Sequence, residues 1–305
     1  MTLASKVARL VGISPASCRR IAAGAHRRYK RFAIPKRTPG EYRLVAQPAR
    51  EVKLIQRGVV EVLSPLLKIH ENATAYRPGS SIKENAQRHA GAKFITKLDF
   101  SSFFPSIDAS AISRLLRNSI EGIAESDVSF VLSSCLWWGD GRHALCIGAP
   151  SSPFLSNAVM YEFDANVSNF CSENGCVYTR YSDDICISSR EPDALALIED
   201  LVRKLCVASR HPRLVLNEKK RVAVGRSTSM TVTGLTLTNQ GGVSVGRARK
   251  RGVRAGVNRF VYDGMSLDQQ DVLKGEIAFV LSIEPNFRYV LLETYGPRIE
   301  VLLPR

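Results

Sequence analysis

The chain has 305 residues, of which 45% are hydrophobic and 23% are charged, and it carries a formal net charge of +15. This composition excludes a disordered protein and, because no run reaches the roughly 18 apolar residues that cross a bilayer, a membrane-spanning one. The excess of basic side chains indicates an anionic partner, and nucleic acid is favoured over a membrane surface.

The first part of the chain combines helical patterns with crowded basic side chains. Two short helical patterns flank the segment 12–15, and a short strand over 42–46 leads to a further helix. The apolar residues of that helix recur at steps of three and four, so we expect them in the core: Val52, Ile55, Val59, Val62 and Leu66. The basic residues, which form either a solvated face or an RNA contact, are Arg19, Arg20, Arg27, Arg28, Lys30, Arg31, Lys36 and Arg37.

Two segments in the middle of the chain carry carboxylates next to predicted strands. An apolar strand over 94–98 leads to Asp99, and a strand pair over 176–188 encloses Asp183 and Asp184. Adjacent carboxylates repel each other unless a cation offsets their charge, although a solvated turn is the alternative. If the strands lie side by side, Asp99 meets Asp183, and such hard oxygen ligands suit Mg²⁺. Two such ions, about 3.5–4 Å apart, stabilise the attacking and leaving oxygens of nucleotidyl transfer.

Helical and extended patterns continue along the rest of the chain. The apolar positions predict, in chain order, two helices over 107–138, one after 153, one over 195–205 and a strand over 213–216. From about Gly241 a basic segment and two or three helices follow, including one over 273–283. The basic residues of this segment are Arg247, Arg249, Lys250, Arg251, Arg254 and Arg259. Phe260 lies among them and can stack on a base, which favours RNA contact over a solvated helix face.

Four short motifs follow one another through the chain. They are Asp99 with Phe103-Phe104-Pro105-Ser106-Ile107, Gly148-Ala149-Pro150-Ser151-Ser152-Pro153-Phe154-Leu155-Ser156-Asn157, Tyr181-Ser182-Asp183-Asp184, and Leu216-Asn217-Glu218-Lys219-Lys220. In this order they resemble the palm motifs of the reverse transcriptases, and the resemblance extends from about Tyr29 to Tyr295. Two positions depart from the family pattern: Cys146-Ile147 stands where Pro-Gln is usual, and Ser182 where Ala is usual. These departures bear on substrate affinity or fidelity rather than on the chemistry.

Two further strings narrow the resemblance to the bacterial retron type. Asn85-Ala86-Gln87-Arg88-His89 is similar to the Asn-Ala-x-x-His pattern of retron enzymes, and Val232-Thr233-Gly234 to their Val-Thr-Gly pattern. The resemblance implies that these regions recognise the structured RNA that the enzyme binds and copies. With the later basic segment, the expected RNA-binding residues are Asn85, His89, Val232, Thr233, Gly234, Arg247, Lys250 and Arg251. For His89, a structural histidine bonded to the backbone is the alternative.

The resemblance also implies the residues of a polymerase site. Asp99, Asp183 and Asp184 are expected to be catalytic and to bind two Mg²⁺ ions. The expected nucleotide-binding residues are Arg43, Arg77, Phe104, Gly148 and Lys220. Phe104 resembles the aromatic gate against a ribose 2′-hydroxyl, with a core phenylalanine as the alternative. Arg43 resembles a fingers arginine that binds the triphosphate bidentately, whereas Arg77 is equally well explained as a surface charge.

The fold implied by the resemblance is α+β with right-hand polymerase architecture. It comprises fingers, a palm of antiparallel sheet plus helices, and a small helical thumb. The expected boundaries are 1–40 for an N-terminal basic helical extension, 41–97 for the fingers, 98–240 for the palm with fingers insertions, and 241–305 for the thumb.

The implied function is RNA-directed DNA synthesis by a retron enzyme. Such an enzyme copies part of a structured noncoding RNA into RNA-linked single-stranded DNA, primed from a guanosine 2′-hydroxyl. The implied partners are the cognate noncoding RNA and its DNA product, dNTPs, a separate effector protein of anti-phage defence, and host ribonuclease H, with no membrane. Seven cysteines without a Cys-x-x-Cys pair fit the cytoplasm. The alternatives are a group II intron-like or diversity-generating reverse transcriptase, or a catalytically decayed RNA-binding scaffold.

Overall fold

The protein is described here by a computed structural model that covers residues 1–36, 39–139 and 141–304. Arg37, one of the basic residues of the first part, lies outside these ranges. The chain has a mixed α+β fold and divides into two compact units, Met1–Ser80 with Thr96–Ala223 and Ser81–Ile95 with Val224–Arg305. None of the helices in the described ranges is long and apolar enough to span a membrane.

Both units contain helices and strands. The helices are α1 (Leu3–Val11), α2 (Pro15–Ala23), α3 (Arg50–Leu63), α4 (Ile82–Arg88), α5 (Phe103–Ser106), α6 (Ala109–Ser119), α7 (Glu125–Cys135), α8 (Ser152–Val159), α9 (Tyr161–Glu173), α10 (Pro192–Ala208), α11 (Arg247–Tyr262), α12 (Leu267–Ile283) and α13 (Phe287–Tyr295). The strands are β1 (Tyr29–Pro35), β2 (Tyr42–Pro48), β3 (Phe94–Asp99), β4 (Trp137–Gly139), β5 (Arg142–Ala144), β6 (Val177–Tyr181), β7 (Asp184–Ser189), β8 (Val222–Gly225), β9 (Thr231–Val232), β10 (Leu235–Leu237) and β11 (Val243–Ser244).

The two helices predicted at the start of the chain are present and capped. The side chain of Thr2 accepts a hydrogen bond from the N–H of Ser5 at the start of α1, and Ser14 caps α2 in the same way through the N–H of Ser17. Gly12 ends α1 in a left-handed conformation that glycine adopts without strain. Local capping therefore explains why two short helices form here rather than one long one.

A four-stranded sheet in the order β6-β7-β3-β8 is the central feature for function. The predicted strand pair is confirmed, because β6 and β7 are antiparallel with Val177 opposite Ser188 and Tyr181 opposite Asp184. Helices α9 and α10 pack against β6 and β7. All seven cysteines of the chain are free and buried.

The apolar stripe of α3 is shorter than predicted. Its earlier positions are fully buried, but Val62 is only partly buried and Leu66 is 42% exposed. The prediction for Leu66 was wrong because α3 ends at Leu63 and Pro65 has no N–H to continue the hydrogen-bond ladder. Leu67 is buried instead of Leu66.

The prediction of a strand over 213–216 was also wrong. Within the described residues of this segment, Leu216 alone forms a bridge, antiparallel to Phe100. The N–H of Asn217 then donates to the carbonyl oxygen of Asp99 at 2.7 Å. A short 3-10 turn over Glu218–Lys220 follows. The segment is therefore held by isolated bonds next to the end of β3, which places Lys220 beside Asp99.

Candidate active site

The three predicted carboxylates lie at one edge of the central sheet. Asp99 is the last residue of β3, and Asp184 is the first residue of β7. Ser182 and Asp183 form the two-residue turn before β7, and Ser182 has a left-handed φ of 62°. The N–H of Phe100 donates to the carbonyl oxygen of Asp183 at 3.1 Å. Strand pairing therefore brings Asp99 and the Asp183–Asp184 pair together.

The ammonium group of Lys220 binds directly to one of these carboxylates. Its Nζ lies 2.9 Å from Oδ1 and 2.8 Å from Oδ2 of Asp99. The Asp99 side chain is 8% exposed, whereas that of Lys220 is 51% exposed. Burial by itself would lower the pKa of Lys220, but the hydrogen bonds to Asp99 and the charges of the three carboxylates raise it. Lys220 therefore stays protonated and offsets the charge of Asp99.

Asp183 and Asp184 hold further negative charge. Burial raises the pKa of Asp183 and the charge of Asp99 adds to the effect, while Lys220 and the hydroxyl group of Ser182 oppose it. Loss of solvent raises the pKa of Asp184 to about 7, helped by the charge of Asp183 and a hydrogen bond with Asp99. Burial and the neighbouring carboxylates together therefore disfavour the ionised forms of Asp183 and Asp184 unless a cation offsets their charge.

The donor set suits a divalent cation, although the carboxylates are not yet arranged around one. In the described ranges, no three His, Cys, Asp or Glu side chains are placed to hold one ion together. Both oxygens of Asp99 are bonded to Lys220 instead. Surplus negative charge on hard oxygen ligands nevertheless fits Mg²⁺. Binding through Asp99 requires Lys220 to release it, and a half-exposed lysine side chain can turn into solvent without unpacking the core.

A cavity of about 400 Å³ brings two of the predicted nucleotide-binding residues together, Phe104 and Gly148. Lys53, Arg57 and Tyr76 also line it. Sequence reasoning missed Arg57, although it follows Lys53 by four residues on α3 and therefore shares a helix face with it. The i,i+4 spacing of two cations is the signal that would have identified it. The cavity thus joins an aromatic wall, a glycine and two cations.

Gly148 lies where the backbone of the second palm motif comes close to β2. Its φ is 109°, and a Cβ atom there would lie 2.9 Å from the carbonyl oxygen of Ala46 and 3.0 Å from Cγ1 of Val45. Next to it, the carbonyl oxygen of Ile147 accepts a hydrogen bond from the N–H of Ala46 at 2.9 Å. Only glycine fits this close approach without strain. Ile147, where the family usually has Gln, lines the cavity with an apolar side chain.

The two predicted nucleotide-binding arginines are not among the described residues that line this cavity. Arg43 is exposed on β2, opposite Ile34 of β1. Arg77 is partly buried, and its Nη1 donates to the carbonyl oxygen of Glu71 at 2.6 Å. Both nucleotide-binding roles stay predictions, and the bond to Glu71 gives Arg77 a structural role as well.

The two retron-type strings meet within the second unit. Helix α4 packs against β9 and β10, and the hydroxyl group of Thr233 donates to a backbone carbonyl of α4 at 3.2 Å. Asn85, His89 and Val232 are buried, with 1%, 1% and 2% of their surface exposed. Burial lowers the pKa of His89 to about 3, so its ring is neutral. These three side chains pack the unit, whereas Gly234 in the following turn is exposed. The RNA-binding role of these residues stays a prediction.

The predicted RNA-binding residues of α11 line a second cavity, of about 680 Å³. Arg247 and Arg251 are exposed and one helical turn apart. Neither forms an ion pair with another of the described residues. Lys250 lies between them and pairs with Glu284 at 2.9 Å. Two arginines without acidic partners leave positive charge available for phosphates.

The comparison with known proteins identifies the family. A family model described as reverse transcriptase (RNA-dependent DNA polymerase) matches residues 34–237. The Retron Ec83 reverse transcriptase of Escherichia coli is 38% identical over 272 residues, which cover 88% of this chain and 87% of that protein. The Retron Ec86 reverse transcriptase of Escherichia coli is 28% identical over 274 residues, 90% of this chain and 82% of that protein. The structure of apo telomerase from Candida tropicalis aligns with a TM-score of 0.49 and 12% identity over 88% of this chain and 59% of that one. By its motifs, its matched family model and its curated relatives, the chain belongs to the retron reverse transcriptases, which are RNA-dependent DNA polymerases.

Proposed function

We propose that Asp99, Asp183 and Asp184 hold the two Mg²⁺ ions of this reverse transcriptase. The observation that carries the proposal is the charge cluster at the sheet edge, where Lys220 binds both oxygens of Asp99 beside two carboxylates of raised pKa. Bound Mg²⁺ supplies electrostatic stabilisation for attack on the α-phosphate and for the leaving pyrophosphate. The protein's part is to hold the three carboxylates close together, and a bound cation would favour their ionised forms.

Lys220 has two partners in this proposal. Without a metal ion, its ammonium group compensates the charge of Asp99. With Asp99 engaged as a metal ligand, the ammonium group of Lys220 would be free to bind the nucleotide phosphates. Lys53 and Arg57 offer further cations for the triphosphate from the wall of the cavity, and the ring of Phe104 closes the space beside the sugar.

In this proposal, the segments of the chain correspond to the subdomains of a polymerase with right-hand architecture. Residues 1–40 form the N-terminal extension, 41–97 the fingers, 98–240 the palm and 241–305 the thumb. The antiparallel β6–β7 hairpin with its carboxylates supports the assignment of the palm. Helices α11, α12 and α13 support the assignment of a helical thumb.

The proposed product is single-stranded DNA that is linked to RNA. The enzyme copies part of its cognate noncoding RNA with dNTPs, starting from a guanosine 2′-hydroxyl, and the exposed Arg247 and Arg251 bind phosphates of that RNA. Host ribonuclease H trims the template, and a separate effector protein acts with the complex in anti-phage defence in the cytoplasm. Identity of 38% to a retron enzyme supports this reading over an intron-like or diversity-generating enzyme.

The product can be tested directly by expressing the protein with its native upstream DNA. We expect the extracted nucleic acid to contain a short single-stranded DNA whose size shifts after ribonuclease or debranching treatment. DNA made only on a supplied RNA template and primer would contradict the retron product but leave the polymerase reading. Failure of both assays would favour a binding scaffold.

The metal ligands can be tested with Asp183→Asn, which keeps the size of the side chain and removes its charge. We expect this variant to lose primer extension on an RNA template, because a neutral amide is a poor ligand for Mg²⁺. Asp200→Asn is the matched control, since Asp200 forms an exposed pair with Lys204 on α10. Normal synthesis by Asp183→Asn at ordinary Mg²⁺ concentration would refute the assignment.

A further inference from the structure

Arg180 lies on β6, two residues before the Ser182–Asp183 turn, which is termed the catalytic turn because it carries Asp183, and the Arg180 side chain is fully buried. Its Nε donates to Oδ1 of Asp164 at 2.8 Å and its Nη2 donates to Oδ2 at 2.6 Å, so the two side chains form a bidentate pair. Both side chains are 0% exposed. The phenolic hydroxyl of Tyr178 donates to the same Oδ1 at 2.6 Å. Asp164 on α9 is thus a buried anion that holds the guanidinium in one orientation.

The remaining amino group of Arg180 reaches the catalytic turn. Nη1 donates to the carbonyl oxygen of Ser182 at 2.9 Å and to Oδ1 of Asn157 at 3.2 Å. Ser182 has a φ of 62°, a conformation that a residue with a Cβ atom rarely adopts. A hydrogen bond to its carbonyl group favours this conformation over the alternatives. The next residue in the chain is Asp183, so the bond acts one peptide away from a proposed metal ligand.

The backbone of Arg180 is also held by hydrogen bonds. Its N–H donates to the carbonyl oxygen of Asn72 at 2.7 Å, and its carbonyl oxygen accepts the N–H of Thr74 at 2.8 Å. The amide group of Asn157 donates to the carbonyl oxygen of Ala75 at 2.8 Å. The segment before Tyr76 is therefore bound both to β6 and to α8, which leaves Arg180 little freedom to move.

The same guanidinium also touches the first palm motif. Its carbon lies 5.8 Å from the centre of the Phe103 ring. Phe103 in turn packs against Phe104, with ring centres 5.5 Å apart. One buried side chain therefore contacts the catalytic turn, α8 of the second palm motif and the residue next to the proposed sugar gate.

We propose that Arg180 is a positioning residue for DNA synthesis, and that its pair with Asp164 holds the Ser182–Asp183 turn so that Asp183 faces Asp99. A buried ion pair adds little net stability over apolar residues of similar volume, so stability alone does not account for it. Instead, the rigid and planar guanidinium group of Arg180 fixes the position of the carbonyl group of Ser182. The inference rests on the proposed metal role of Asp183.

Arg180→Met tests the proposal, because methionine fills much of the volume but donates no hydrogen bond. We expect kcat for dNTP incorporation to fall about 100-fold with little change in KM, since displacement of a reacting group by about 1 Å has an effect of that size. We also expect weaker binding of Mn²⁺, measured by electron paramagnetic resonance without substrate. Tyr178→Phe is the matched control: it removes a buried hydrogen bond to Asp164 but leaves the bond to Ser182 in place, and it should keep near-normal kcat and Mn²⁺ affinity.

The outcomes separate this inference from the proposed metal site. Loss of Mn²⁺ binding in Asp183→Asn with normal binding and kcat in Arg180→Met would overturn the positioning role. Normal Mn²⁺ binding in Asp183→Asn would overturn the metal assignment itself. Equal losses of kcat in Tyr178→Phe and Arg180→Met would show that the bond from Arg180 to Ser182 does not cause the effect and would overturn the inference. If Arg180→Met does not fold, Asp164→Asn keeps the buried acceptor but removes its charge; a kcat lowered at least tenfold supports the inference, and an unchanged kcat overturns it.

Discussion

Replacing Lys220 by methionine removes the positive charge that now compensates Asp99. The pair joins a half-exposed ammonium group to a carboxylate that is 8% exposed. Exposed pairs contribute about 0.2–1 kcal/mol, whereas breaking a buried pair costs about 3–5 kcal/mol. For this intermediate case we expect the free energy of unfolding to fall by about 1–2 kcal/mol without divalent cations. The unfolding midpoint should then fall by about 2–3 °C in EDTA.

The same variant should respond differently when Mg²⁺ is present. The ion would supply the charge that Lys220 supplies in its absence, so the loss of stability should shrink by at least half at saturating Mg²⁺. The apparent affinity for Mg²⁺ should rise, because the ion no longer competes with an ammonium group for Asp99. Thermal unfolding of the full chain across a Mg²⁺ titration measures both effects.

Lys219→Met is the matched control for this experiment. It removes the same charge from the neighbouring position, where the ammonium group is exposed and forms no ion pair with the described residues. We expect little change in stability with or without Mg²⁺. The reasoning would be refuted by an equal loss in both variants, or by a loss in Lys220→Met that Mg²⁺ does not reduce.

Three further predictions concern sugar selection, pH and RNA binding. Phe104→Ala should raise the ratio of ribonucleotide to deoxyribonucleotide incorporation in primer extension, because the ring lines the cavity; an unchanged ratio would make it a core residue only. The pKa of Asp184 is raised from 3.8 to about 7 in the folded state, so in EDTA the free energy of unfolding should fall as the pH rises through that interval. Asp184→Asn should flatten this decline, and an unaltered pH profile would contradict the assigned shift. Replacing both Arg247 and Arg251 by Gln should weaken RNA binding and lower the slope of log affinity against log salt by about 2; an unchanged slope would exclude both from phosphate contact.

Several features of the site could be predicted because they depend on short stretches of chain. The strand, turn and strand around Asp183 need only alternating strand-forming residues and a two-residue turn, and both are local properties. Helices α1 and α2 were predictable for the same reason, since their caps lie within three residues of the helix starts. The net charge of +15 indicated a nucleic-acid partner before any fold was known.

Contacts between residues far apart in the chain could not be predicted in this way. Lys220 and Asp99 are 121 positions apart, and their hydrogen bonds exist only because the chain after α10 returns to the end of β3. Arg180 stands one residue before the Tyr-x-Asp-Asp box, yet its buried partner Asp164 lies on another element. No local pattern distinguishes such a buried arginine from a solvated one.

Residue types and their spacing were enough to predict the family, the candidate catalytic carboxylates and the basic character of the chain. Which side chains are available to a ligand became clear only from the folded structure. It buried Asn85, His89 and Val232 in packing contacts and placed Arg57 in the wall of the cavity beside Phe104. Burial and pairing depend on how separate segments pack against one another, and that packing is settled only when the whole chain has folded.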